Sequence, residues 1–144
     1  MANWFECKVK YDKLGVEEGS KSLTESYLVD ALSFTEAESR ITEELRPFVS
    51  GEFLVTAIKP SKIAEIFWHE GGDRWFLVKV AFITLDEKTA KEKRTISQIL
   101  VQASTLNQAL DLFLEGMKGT MADYHVVQIS ETLIMDVYKM KVVE

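Results

Sequence analysis

The stretch that decides the fold is residues 99–113, ILVQASTLNQALDLF, because the spacing of its apolar residues changes part-way along. Before Thr105 the apolar residues are consecutive, as they are in a buried strand. After it they recur three or four positions apart, as on one face of a helix. Thr105 to Gln108 fits a capping box, in which the hydroxyl and the glutamine side chain satisfy free amides at a helix start. The stretch therefore predicts a strand that leads directly into a capped helix.

The same pattern occurs earlier, in residues 27–41, which align with residues 99–113 without gaps at an offset of 72. A second capping box, Ser33 to Glu36, occupies the matching position. Two further pairs repeat at an offset of 71, namely Trp4-Phe5 with Trp75-Phe76 and residues 53–67 with residues 124–138. Each copy reads strand, strand, helix, strand, strand.

These repeats predict an α+β fold with two pseudo-symmetric copies, in which an antiparallel sheet packs against two helices. We place repeat one at about residues 3–70 and repeat two at about residues 74–141, inside a single domain of residues 1–144. A chain of 144 residues is the size of one ordinary domain. A second interpretation takes residues 51–118 as four strands followed by a helix, so that the unit around the first helix obtains its missing strands from the other end of the chain.

The composition is that of a globular protein that buries a core, with 47% apolar and 28% charged residues. Its net charge of −6 counts against sequence-independent binding to phosphate backbones, although a local basic patch on an acidic protein can still bind them. No apolar stretch approaches the roughly 18 residues of a membrane span, so we expect no membrane contact and a cytoplasmic location. Cys7 is the only cysteine, which excludes an intramolecular disulfide and favours a small buried side chain.

Few residues in the sequence suggest catalysis or metal binding. The two histidines, His69 and His125, lie in a predicted turn and a predicted strand, and with a lone cysteine they lack the spacing of a zinc site. Gly71-Gly72 lies between two strands and opens no helix, so it predicts a hairpin turn and not a phosphate-binding loop. We therefore predict no catalytic residue, no metal and no cofactor.

Glu65 and Asp136 are the candidate carboxylate pair for an enzyme, because the repeat places an acid at the same strand position twice. Alternation along the first of these strands makes neither of its faces plainly polar. A solvent-facing position on each strand is the favoured interpretation, and the sequence leaves open whether the two carboxylates approach each other.

Basic residues gather in one predicted hairpin of the second copy, where acids also occur at Asp86, Glu87 and Glu92. Proteins that bind single-stranded nucleic acid combine such cations with aromatic side chains on which the bases stack. The candidate phosphate-binding residues are Lys88, Lys91, Lys93 and Arg94, and the candidate stacking residues are Trp4, Trp68 and Trp75. Our first hypothesis is therefore a non-catalytic module that binds single-stranded nucleic acid.

The strand at residues 74–83 supports a different hypothesis, because it is apolar on both faces. A strand of this kind is covered on both sides, by a helix on one side and by another sheet or subunit on the other. Its candidate interface residues are Trp75, Leu77, Ala81 and Ile83. The second hypothesis is therefore a scaffold module that docks a protein partner or its own copy as a homo-oligomer.

Four segments in a fixed order carry a resemblance to a known family: Trp4 to Val9, Tyr27 to Ala31, Ser33 to Glu38 and Ile63 to Phe67. They resemble those of a small family of bacterial and phage proteins catalogued as domain of unknown function 4494. The resemblance covers nearly the whole chain, implies a single module with these boundaries, and carries no catalytic motif. In element order alone, the strands and helix also look like the repeats of Pur-type and Whirly-type single-stranded nucleic-acid binders, which pair two such units.

Overall fold

The computed structural model describes residues 3–13, 21–49 and 52–139. Eight strands lie in this part of the chain: β1 (Asn3–Lys13), β2 (Lys21–Ala31), β3 (Phe53–Pro60), β4 (Ile63–Phe67), β5 (Arg74–Leu85), β6 (Glu92–Ala103), β7 (Asp123–Glu131) and β8 (Ile134–Tyr138). The two helices of the same part, α1 (Phe34–Leu45) and α2 (Leu106–Gly116), follow β2 and β6. The connection between β1 and β2, residues 14–20, lies outside the described residues.

The chain divides into two compact units. One comprises Met1–Ser61 and Leu133–Glu144, and the other comprises Lys62–Thr132. The first contains α1 and a four-stranded sheet in the order β3-β1-β2-β8, and the second contains α2 and a four-stranded sheet in the order β4-β6-β5-β7. The α+β class is as predicted, but in place of one sheet with two helices there are two sheets with one helix each.

Each sheet is built on a long antiparallel hairpin. β1 and β2 pair along their whole length, and so do β5 and β6. β3 and β7 add antiparallel strands to the outer sides of β1 and β5, each with a bulge, at Lys8/Val9 and at Lys79/Val80. The pairings suit the alternating sequence, because in each sheet one face of the central strands packs apolar side chains against a helix.

The fourth strand of each sheet is parallel to its neighbour, so the sheets are mostly antiparallel, as predicted, but not wholly so. β8 lies beside β2, and β4 lies beside β6. The unit around α1 therefore obtains a strand from the other end of the chain, as the second interpretation predicted. That interpretation is wrong about β3, which pairs with β1 and not with the strands of the second unit.

The loop between β4 and β5 is a crossover and not the predicted hairpin turn, because β6 lies between these two strands. Gln102 of β6 holds the loop, since its side-chain oxygen accepts from His69 N at 3.1 Å and its side-chain nitrogen donates to Gly72 O at 3.0 Å. A Cβ atom at Gly72 would lie 2.6 Å from the backbone nitrogen of Ala103. Glycine therefore lets the loop pass close over the end of β6.

Both predicted helix caps are present. Ser33 Oγ accepts from Glu36 N, and Thr105 Oγ1 accepts from Gln108 N, each at 3.1 Å. At α2 the returning side chain bonds one residue earlier than in a reciprocal capping box, because Gln108 Oε1 accepts from Ser104 N at 2.7 Å. The caps place the start of each helix directly after the central hairpin of its unit.

One apolar core lies between the helix and the sheet of each unit. The helix residues buried in these cores lie three or four positions apart, as the sequence predicts for one face of a helix: Ala37, Ile41 and Leu45 of α1, Ala109 and Phe113 of α2, and Met117 directly after α2. Phe34 and Leu106 continue this spacing toward the helix starts, but they are 53% and 45% exposed. Each is the first residue of its helix, so its side chain projects from the helix start, ahead of the turns that cover the sheet.

Candidate functional site

The connection between β5 and β6 is an ordered turn. Asp86 N donates to Lys91 O at 2.9 Å, and Ala90 N donates to Asp86 O at 2.7 Å, with Ala90 in the left-handed region at a φ of 57°. The Asp86 carboxylate accepts from Lys88 N at 2.9 Å, as in an Asx turn. The carboxylate of Asp86 is therefore bonded to the backbone of the turn itself.

We call residues 85–94 the basic hairpin end, and all of its side chains are exposed. It brings together the four cations that the sequence predicts to bind phosphate, namely Lys88, Lys91, Lys93 and Arg94. No ion pair within the described part of the chain engages the three lysines. Glu87 and Glu92 remain as exposed acids, so the basic hairpin end has only a small excess of positive charge.

Arg94 of β6 reaches across β5 to β7, where its Nη2 lies 2.9 Å from His125 Nε2. The pairing of His125 with Ala81 in the middle strand places the imidazole within this reach. A guanidinium group can only donate, so His125 Nε2 is the acceptor in this contact. Sequence reasoning missed His125, because the repeat aligns it with Leu54 and the local sequence does not show which strand lies beside β7.

Two of the three predicted stacking residues, Trp68 and Trp75, do not lie beside the cations. Trp68 and Trp75 form an edge-to-face pair with ring centroids 5.4 Å apart, near the start of β5. The basic hairpin end lies at the other end of this strand, about 30 Å away at the usual rise of a β-strand. Trp68 is 48% exposed and Trp75 is 2% exposed, so Trp68 is the indole of this pair that a base could reach. Trp4 is half-buried on β1 of the other unit.

The four predicted interface residues share one face of β5, opposite the face that packs against α2. Trp75 and Ala81 are buried in the single chain, whereas Leu77 and Ile83 are half-buried. Docking of a partner on this face stays a prediction. Leu77 and Ile83 are the two of these residues that retain accessible surface.

The family model described as Domain of unknown function (DUF4494) matches residues 3–140. The chain belongs to this family. The match extends over all of the helices and strands listed above, so it includes both sheets and both helices. No curated protein and no solved structure matches the chain significantly.

The two candidate acids of the DUF4494 chain lie on edge strands of different sheets. Each of these strands is parallel to the neighbouring strand of its own sheet. Glu65 of β4 is opposite Ile99, and Asp136 of β8 is opposite Tyr27. Both side chains are exposed, and Asp136 Oδ1 accepts from Val137 N at 2.8 Å. Each acid therefore occupies an exposed edge position on its own strand, as the favoured interpretation expected.

Cys7 of β1 is fully buried in the core beneath α1. Burial, with a smaller contribution from Glu6, raises the pKa of the Cys7 thiol from 9.0 to about 11. The thiolate is the nucleophilic form of cysteine, so this side chain is placed for packing and not for covalent chemistry.

Native Cys7 is expected to resist alkylation by iodoacetamide at pH 8, whereas the urea-unfolded chain should react at the rate of a free cysteine. Folding raises the pKa of the Cys7 thiol, so the folded protein favours the protonated form. This contribution to the free energy of unfolding is fully present below the ordinary thiol pKa and is lost as the pH rises through about 11. Mass spectrometry of the chain with time measures the modification. Equal rates in the native and unfolded protein would contradict the buried position.

Two polar clusters in the unit of α1 are satisfied by their own side chains. Arg40 of α1 donates to the carboxylate and to the backbone oxygen of Asp30, and the two side chains are 15% and 10% exposed. The hydroxyls of Tyr11 and Tyr27 both donate to the Glu25 carboxylate. These contacts join α1 to β2 and β2 to β1, which is a structural role.

Tyr27 also stacks on Tyr138 of β8, with ring centroids 6.0 Å apart. Burial raises the pKa of Tyr138 to about 12, helped by the negative charges of Asp136 and Glu44. Burial, with the Glu25 charge, raises the pKa of Tyr27 as well. Both phenols therefore remain protonated near neutral pH and serve to pack β8 against its neighbour.

An open groove of about 620 Å³ lies between α1 and the edge strand β3. The side chains of Glu38, Thr42 and Arg46 line it from the helix side, and those of Glu52 and residues 53–55 line it from the strand side. An edge strand beside a groove is a geometry that extended peptides use to add a strand to a sheet.

Within residues 3–13, 21–49 and 52–139, no three His, Cys, Asp or Glu side chains are grouped so that they could hold a metal ion. No helix in this part of the chain is long and apolar enough to cross a membrane. The basic hairpin end is the described feature whose chemistry, four exposed cations on one ordered hairpin, suits an anionic ligand.

Proposed function

We propose that this DUF4494 protein is a non-catalytic binding module that contacts single-stranded nucleic acid through the basic hairpin end. The observation that carries the proposal is the clustering of four exposed cations, Lys88, Lys91, Lys93 and Arg94, on one ordered hairpin. Phosphate groups are the anions that such a cluster attracts, because lysine and arginine both donate to phosphate oxygens. An otherwise acidic chain makes this attraction local, so the hairpin end determines where a phosphate backbone can lie.

A ligand that reaches both the cations and the exposed indole of Trp68 has to follow the length of β5. Trp68 lies about 30 Å from the basic hairpin end and is the half-exposed indole of its pair. Single-stranded binding sites extend over roughly 4 to 16 nucleotides, which is enough to span such a distance. We therefore expect phosphate contacts at the hairpin and a single stacking contact at Trp68.

The proposal includes a fold of two pseudo-symmetric repeats, in the manner of the Pur-type and Whirly-type binders that the element order resembles. What supports it is the equivalent arrangement inside each sheet, where a central hairpin is flanked by an antiparallel strand and a parallel strand. The bulges at Lys8/Val9 and Lys79/Val80 also occupy matching positions, and so do the two helix caps.

Fluorescence anisotropy with a labelled oligothymidylate of about 15 nucleotides tests the proposal. Four phosphate contacts to a single strand predict a loss of about 50-fold in affinity between 50 mM and 200 mM salt. Replacing the four cations together by glutamine should remove most of the binding at low salt. Lys118→Gln is the control, because Lys118 lies on the α2 side of the same unit and pairs with Glu115. Absence of binding at low salt, or binding that ignores salt, overturns the proposal.

The second candidate is a protein-interaction module, as a self-assembling scaffold or with another partner. The groove beside β3 and the exposure of Leu54, 69% on that edge strand, favour it, together with the accessible parts of Leu77 and Ile83 on β5. Analytical ultracentrifugation at roughly tens of micromolar tests self-assembly. A concentration-dependent dimer supports the candidate, and a monomer over the whole range excludes the homo-oligomer.

A further inference from the structure

The contact between Arg94 and His125 gives the basic hairpin end a feature that the lysines do not have. Both side chains are exposed, and they come from β6 and β7, the two strands that flank β5. Arg94 Nη2 and His125 Nε2 are 2.9 Å apart, which is the length of a good hydrogen bond. The guanidinium of Arg94 therefore has one of its donors occupied by the imidazole.

The chemistry of the two groups allows this contact in only one protonation state. The guanidinium has donors and no acceptor, so His125 has to supply the acceptor through an unprotonated Nε2. A protonated imidazole has donors on both nitrogens and carries a positive charge. Protonation of His125 therefore ends the hydrogen bond and places two cations side by side.

We infer that His125 is a positioning residue of the phosphate-binding surface, whose protonation releases the Arg94 guanidinium and so strengthens the binding of a nucleic-acid phosphate. The inference rests on the proposed function. Once released, the Arg94 guanidinium can donate two hydrogen bonds to one phosphate. While Arg94 is bonded to His125, fewer of its donors are available for that contact. The protonated imidazole adds a second donor of the same charge at the same place.

The charges around His125 decide how this surface responds. The charged residues of the same sheet whose strand positions face it are Lys79 of β5, Arg94 of β6 and Asp123 of β7. Lys79 and Arg94 repel a positive imidazole, whereas Asp123 attracts it. A bound phosphate adds negative charge beside His125, so phosphate binding and protonation of the ring favour each other by linkage.

Oligothymidylate binding at pH 8.0 and pH 5.5 and at 50 mM salt measures the effect, since thymine does not protonate in this range. One added charge-assisted contact on an exposed surface predicts affinity about 3- to 10-fold tighter at pH 5.5. His125→Gln keeps an acceptor for Arg94 but cannot protonate, so its affinity should be the same at both pH values. His69→Gln removes the other histidine and should keep the response of the unmodified protein.

A second measurement separates the inference from the proposed function. The ¹⁵N shifts of the His125 ring at pH 8.0 should show the Nδ1–H tautomer, and Arg94→Gln should weaken that preference. An Nε2–H ring in the unmodified protein overturns the inference, whether or not nucleic acid binds. Binding at pH 8.0 that does not tighten at pH 5.5, or an equal response in His125→Gln, overturns it as well. Absence of oligonucleotide binding at both pH values overturns the proposed function and the inference together.

Discussion

Gly72→Ala is expected to lower the free energy of unfolding by about 2–4 kcal/mol, which corresponds to a fall of roughly 5–15 °C in melting temperature. The new Cβ atom would lie 2.6 Å from the backbone nitrogen of Ala103 and 2.7 Å from its Cα atom. These are backbone atoms in the last residue of a central strand, so they cannot turn aside as a flexible side chain could. Either the crossover loop or the end of β6 has to move.

Movement of the crossover loop also breaks the hydrogen bonds that hold it. Gln102 binds the backbone at both His69 and Gly72, so a shift of the loop separates a half-buried amide from two partners at once. Unmade hydrogen bonds of partly buried groups cost about 1 kcal/mol or more each. The expected loss of stability therefore includes the steric strain and the two hydrogen bonds of the Gln102 side chain.

Gly71→Ala is the matched control, because the neighbouring glycine has an open environment. The nearest atom to its added Cβ would be His69 Nε2 at 3.7 Å, an ordinary van der Waals distance. Urea unfolding followed by circular dichroism should give this variant the stability of the unmodified protein within about 1 kcal/mol. If Gly72→Ala is as stable as Gly71→Ala, the loop does not cross β6 at this close distance.

Features that depend on neighbours in sequence were predicted well. The change of period at Ser33 and at Thr105 located both helix starts, and the structure has both caps. The two long hairpins also follow from local alternation, since their strands are joined by short connections. A hydroxyl before an apolar stripe is a local signal, so tertiary structure did not override it.

Features that depend on partners distant in sequence could not be predicted in the same way. The pairing of β8 with β2 joins residues more than a hundred positions apart, and no residue of either strand specifies a parallel neighbour. Gly71-Gly72 has the composition of a hairpin turn, and its role as a crossover appears only when β6 is known to lie between β4 and β5. Composition identifies a turn without identifying which strands it connects.

The candidate site shows the same division. Lys88, Lys91, Lys93 and Arg94 are close because they share one hairpin, and the sequence was sufficient to group them. The tryptophans were grouped with them by chemistry alone, and the length of β5 separates Trp68 from the cations. His125 joins Arg94 through the register of β7 against β5, which is a tertiary property.

Phe113→Ala is expected to destabilise the protein by about 3–5 kcal/mol. Phe113 is fully buried, and its ring lies between Phe67 of β4 and Tyr124 of β7, with centroids 6.0 Å and 6.2 Å away. These two strands form the opposite edges of the second sheet, so one side chain of α2 contacts both of them. Its removal leaves a cavity beneath the helix and removes two aromatic contacts worth about 1 kcal/mol each.

Leu114→Ala is the control, because Leu114 is the next residue on the same helix and is 45% exposed. It removes a large apolar side chain with little cavity, so the loss should stay below about 1 kcal/mol. Phe113→Leu should fall between the two, since it keeps most of the buried volume but not the ring contacts. Equal unfolding free energies for Phe113→Ala and Leu114→Ala in urea would contradict the position of Phe113 between the two edge strands. Because the basic hairpin end lies outside this core, Phe113→Leu should retain oligonucleotide binding at temperatures where it is folded. Retained binding in this variant distinguishes loss of the fold from loss of the cations.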